Sequence, residues 1–153
     1  MLRYFLTALS IIIWCKPTHA DYMHYGSCQY NYGSKQGWDI QHTVAVKPTW
    51  FLGNGTTLAN ITFDADVTNN VWYLGVWTYD GTTMRSYKNG VAQAATASLT
   101  SPIIYSGSGT LMFARFTTGT NYKSGQTLYG IFNRALPAGE VAQFYQQTRH
   151  LFL

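Results

Sequence analysis

Charge is scarce in this chain. Only 10% of its 153 residues are Asp, Glu, Lys or Arg, and a single glutamate, Glu140, stands beside five aspartates. Against that, 46% of residues are hydrophobic and 16% aromatic. Disordered chains show the reverse balance, so a packed core is expected. The length suits one domain. The ten basic residues are scattered, and no cluster of them joins a nucleic-acid motif, which excludes a nucleic-acid partner. A net charge of +4 leaves a weak attraction to anionic glycans or cell surfaces. No stretch approaches the roughly 20 apolar residues of a membrane-spanning helix. Neither a Gly-x-Ser-x-Gly elbow nor a phosphate-cradling glycine loop is present. Four histidines, His19, His24, His42 and His150, are too dispersed for a metal site; His42, on an alternating stretch, reads as a hydrogen-bonded strand residue. Two cysteines define no disulfide framework. An oxidised pair requires Cys15 and Cys28 on neighbouring strands; a buried free thiol is the other reading.

What is abundant is β-forming sequence broken by turn signals. Trp72 to Tyr79 is a run of aromatic and β-branched residues without proline. Asp80-Gly81 is a turn dipeptide, Met84 to Lys88 a second strand, and Asn89-Gly90 the signature of a two-residue hairpin with positive φ at both positions. Ala59, Ile61 and Phe63 alternate with polar residues, as do Trp38, Ile40 and His42. Further strands are expected at Thr49–Leu52, Val91–Ala97, Pro102–Tyr105, Thr110–Phe116 and Gln126–Phe132. Short strands with a turn every eight to twelve residues indicate an antiparallel sandwich or barrel. One helix is expected at the carboxyl end. Val141, Phe144, Tyr145 and Thr148 share a helical face, and Pro137 suits the first helical turn.

Three of these segments carry a resemblance. The Trp72–Val91 stretch, with its Tyr-Asp-Gly and Tyr-x-Asn-Gly-Val, resembles the central signature of laminin-G-like, concanavalin A-like β-sandwich domains. Leu128–Leu136 with Asn133-Arg134-Ala135-Leu136, then Glu140, Val141, Phe144 and Tyr145, is similar to the closing signature of that family. Ser or Thr usually stands where Pro137 does, completing a capping box with Glu140; here the box is broken. Ile11 to Pro17, with Trp14 and Lys16, is similar to an early strand of the same family. The resemblance covers residues 8–148 as a single domain. It implies an all-β fold, an antiparallel jelly-roll sandwich with a short carboxyl-terminal helix. Residues 1–20 have a second reading as a secretory signal peptide, with an apolar run from Tyr4 to Trp14 and a small-residue end at Thr18-His19-Ala20.

The resembled superfamily holds lectins and β-glucanases, so chemistry is weighed against binding. Its glycosidases set two Glu and an Asp at alternate positions of one strand, with carboxyls about 5 Å apart. Here only Asp64 and Asp66 alternate, at a strand end before the turn at Asn69-Asn70, so no enzymatic activity is expected. The same pair, with Asn69 and Asn70, is the candidate calcium site, since many laminin-G-like domains bind calcium at a loop rim; solvated turn residues are the competing reading. For ligand binding, Trp50 and Asn54 mark one loop rim and Asn121 and Tyr122 another. Trp50 also reads as a core residue, and Trp14, Trp72 and Trp77 are assigned to packing. Asn54-Gly-Thr56 and Asn60-Ile-Thr62 are glycosylation acceptor sequences. Two functions follow as expectations. One is a non-catalytic extracellular recognition module binding glycan or glycoprotein. The other is a structural or adhesion domain of a larger surface or virion assembly, without a small ligand.

Overall fold

A computed structural model describes residues 5–18, 23–42, 47–100, 102–105, 111–113 and 124–153. Two five-stranded antiparallel sheets form the body of the domain. One contains β2 (Leu9–Pro17), β7 (Tyr73–Tyr79), β8 (Thr83–Lys88), β9 (Val91–Ser98) and β12 (Ser124–Phe132), in the order β12-β2-β7-β8-β9. The other contains β3 (Met23–Asn31), β4 (Gln36–His42), β5 (Thr49–Asn54), β6 (Leu58–Thr62) and β11 (Leu111–Phe113), in the order β11-β3-β4-β5-β6. β1 (Phe5–Leu6) and β10 (Ile103–Ile104) form a further two-stranded ladder. Helix α1 (Ala138–Thr148) and a 3-10 turn (Arg149–Leu151) close the chain.

The run of isoleucines explains its own place. β2 is hydrogen-bonded on both edges, to β12 and to β7, and its two faces feed two different cores. Ile11, Ile13 and Cys15 face the other sheet and meet Tyr25, Trp38, Ile40, Trp50 and Leu52. Ile12 and Trp14 point the opposite way, with Leu74 and Val76 of β7, beneath Val141 of α1. A strand buried on both faces has no use for a polar alternate, so its sequence reads as continuous hydrophobic residues. Leu9–Pro17 is thus a central strand, as the strand reading of this segment expected.

The hairpin and the helix also form where the sequence places them. Asn89 and Gly90 take φ of 53° and 82° between Lys88 and Val91, which pair directly. In α1, Val141 is fully buried, Phe144 and Tyr145 pack on the second core, and the Thr148 hydroxyl accepts the Trp14 indole N–H at 3.0 Å. Pro137 stands one position earlier than expected. It is the N-cap, with extended backbone, and its carbonyl accepts the Glu140 and Val141 amides. No side chain caps the helix, and Glu140 turns instead to Arg134 in a two-pronged ion pair.

Strand β3 is the element the sequence pattern conceals. It carries irregularities between His24 and Gly26 and between Cys28 and Gln29, and each resets the alternation of faces. Cys15 and Cys28 lie on strands of different sheets rather than on neighbours, and both are free thiols.

Candidate functional site

The sheet β11-β3-β4-β5-β6 turns Trp38, Ile40, Trp50 and Leu52 toward the core. Successive strand residues point to opposite faces, so Asp39, Phe51 and Asn60, which pair in one row, lie on the outer face. A cavity of about 350 Å³ opens on this face. Its floor is Phe51, Leu58 and Asn60. One wall is the β3–β4 turn, through Tyr32 and Lys35, and the other is the β5–β6 turn, through Thr56 and Thr57.

Backbone contacts hold the two turns together. The Gly55 amide donates to the Lys35 carbonyl at 2.6 Å. A Cβ on Gly53 would lie 2.2 Å from that same carbonyl oxygen, so only glycine allows the approach. Lys35 sits at φ 52° and Gly55 at φ 84°. The groove is therefore framed by tight turns anchored to paired strands.

Asn54 does its work inside this frame. Its side-chain oxygen accepts the Thr56 and Thr57 amides, at 2.9 and 2.6 Å, and its amide nitrogen donates to the Thr100 carbonyl at 2.6 Å. It is buried, and it shapes the turn rather than offering itself to a ligand. Trp50 is fully buried in the core, so its ring offers no stacking surface to solvent. These two placements correct the expectation that Trp50 and Asn54 contact ligand. The aromatic residues at the groove are Phe51, the next residue along the strand, and Tyr32, which is 73% exposed. Asn121 and Tyr122 lie outside the described residues.

Asp64 and Asp66 are occupied in another way. The Ala94 and Ala95 amides donate to the Asp64 carboxylate at 2.6 and 3.2 Å. The Lys47 ammonium donates to the Asp64 carbonyl at 3.1 Å, and the Lys88 ammonium to the Asp66 carbonyl at 2.9 Å. Calcium wants six to eight oxygens free to converge on it. Here two cations already take the carbonyls and two amides take one carboxylate, so this donor set does not fit the ion. Among the described residues no three or more His, Cys, Asp or Glu side chains gather into a metal-holding group.

The other described acids are likewise engaged. Asp80 binds the Thr82 and Thr83 amides and the Arg85 guanidinium. Asp39 is fully buried and meets His24 Nδ1 at 3.0 Å; burial pushes its carboxyl up, partly offset by His24. His42, as expected, is a hydrogen-bonded core residue, its Nδ1 2.5 Å from the Tyr25 hydroxyl.

This sandwich, with its helix on one outer face, defines the concanavalin A-like class. The chain belongs to it: the laminin G family model described as "Concanavalin A-like lectin/glucanases superfamily" matches residues 4–142. The fold is shared with the botulinum neurotoxin serotype G binding domain at TM-score 0.69 and 19% identity, over 96% of this chain and 38% of that one. It is shared too with a heptameric SAP-like pentraxin from Limulus polyphemus at TM-score 0.63 and 17% identity, over 94% of this chain and 74% of that one. The chain thus spans well under half the length of the toxin domain. No curated protein sequence matches it.

Proposed function

We propose that this chain is a non-catalytic recognition module that holds a saccharide, free or on a glycoprotein, in the groove between the β3–β4 and β5–β6 turns. The observation that carries this is the groove's chemistry on a rigid sheet. Sugars present apolar C–H faces that stack on aromatic rings, and hydroxyls that pair with amides and hydroxyls. Tyr32 and Phe51 supply the rings, and Thr56, Thr57 and Asn60 the polar partners. The volume lies at the lower end of the range for small-ligand pockets, which suits one or two sugar rings. An extracellular setting accords with such a ligand. Hydrolysis would need a pair of carboxyls across a cleft, whereas among the described residues none lines the groove.

A glycan array, run with and without calcium, tests the proposal. Specific hits that Tyr32→Ala weakens at least about tenfold, with the fold intact by circular dichroism, support it. Silence on the array favours the other reading, a structural or adhesion domain of a larger surface or virion assembly.

A further inference from the structure

We propose that the groove selects an acidic saccharide, one carrying a carboxylate or a sulfate, and that Lys35 is the residue that makes the choice. This deepens the saccharide reading and rests on it. Among the described residues the groove is lined by one cation and no acid. Of the other described cations, Lys47 and Lys88 are engaged on carbonyls, Arg85 on Asp80 and Arg134 on Glu140, while Lys16 and Arg149 do not line the groove. Lys35 has no hydrogen bond or ion pair from its ammonium among the described residues, and it is exposed at the groove wall.

Its backbone is also the best-held part of that wall. The Lys35 carbonyl takes the Gly55 amide and lies against Gly53, so the root of the side chain is positioned before any ligand arrives. An ammonium held beside hydroxyl and amide groups recognises an oxyanion on a ring whose other hydroxyls meet Thr56, Thr57 and Asn60. A neutral sugar meets that exposed ammonium only through hydroxyls that compete with water. An oxyanion gains a charge-assisted hydrogen bond, stronger than one between neutral groups.

The test is a titration of isotope-labelled protein, followed by amide shifts, with matched pairs: glucose and glucuronate, galactose and galacturonate, and glucose 6-sulfate. Inorganic sulfate is the control, and Lys35→Met, Lys35→Arg and Tyr32→Ala are the variants. At least one acidic sugar is expected to bind about tenfold or more tightly than its neutral partner, with shifts centred on Thr56, Thr57 and Asn60. Lys35→Met should erase that preference and Lys35→Arg should keep it. Whether carboxylate or sulfate is preferred names the oxyanion. Neutral sugars binding as tightly as acidic ones, or a preference that survives Lys35→Met, overturns selection by Lys35 and leaves the saccharide reading standing. Inorganic sulfate binding as tightly as the sulfated sugar overturns it as well, since the ring would then contribute nothing. The absence of groove shifts with every sugar overturns both readings.

Discussion

Two side chains near the groove show how little of a residue's role is carried by its type. Trp50 and Phe51 are adjacent and both aromatic, yet one is sealed in the core and the other floors the groove, because a strand sends neighbours to opposite faces. Type alone favours tryptophan as the sugar-stacking residue; the pairing register decides for phenylalanine. Asn54 is similar, a polar loop residue with two hydrogen bonds inside its own turn and a third that ties the turn to Thr100. Asn54→Ala should lower stability by about 2–3 kcal/mol, because two amides and a carbonyl lose their partner and the site is partly closed to water. Chemical denaturation of the variant checks this, and an unchanged midpoint would return Asn54 to the list of free loop residues. At Gly90 two costs coincide. Its φ is 82°, and a Cβ there would lie 3.1 Å from Tyr145 Cβ. Gly90→Val should therefore destabilise the domain by more than about 1 kcal/mol, read as a lowered thermal midpoint.

Among the elements, the β7–β8 turn and the edge strand β9 show side chains standing in for backbone partners. Partial burial pushes the Asp80 carboxyl up, but hydrogen bonds from Arg85, the Thr83 and Thr82 amides and the Thr82 hydroxyl outweigh it and hold the group well below the usual carboxylate range. A depressed folded value means the stabilisation is fully present above the unfolded value near pH 4 and is lost as pH falls through the folded one. Asp80→Asn should be less stable than the native chain by about 1 kcal/mol at pH 7, and the gap should narrow in melts recorded below about pH 4. In β9, Arg85 pairs with Thr96 and Tyr87 with Ala92, so Gln93, Ala94 and Ala95 stand against Ser86 alone. The Asp64 carboxylate takes two of the amides this bulge turns outward. Exposed edges invite pairing with another chain. Asp64→Ala should raise self-association, visible by light scattering, and a strictly monomeric variant would count against this role.

At the scale of the molecule, the legible parts are those built from local periodicity. The hairpin at Asn89-Gly90, the face of α1 and the strand alternation of β4 and β6 need only their own residues to be recognised. The groove was hidden because it is made by two turns, residues 32–35 and 55–57, that are distant in sequence and meet through one hydrogen bond and one glycine. β3 was hidden because its irregularities cancel the period that would reveal it. The whole is held together by sharing. β2 and β7 contribute to the inter-sheet core with one face and to the helix-covered core with the other. Neither core can open without disturbing strands that belong to both, so unfolding should be a single cooperative transition. Val141 tests the coupling, since it is fully buried under α1, on the side away from the groove. Val141→Asp places an unpaired charge against Ile12, Trp14 and Val76 and should cost about 3 kcal/mol or more. The loss should appear equally in the far-ultraviolet signal of the strands and in the fluorescence of the tryptophans in both cores. Separate midpoints for the two signals would show that the helix-covered core melts alone, and the shared strands would then not couple the two.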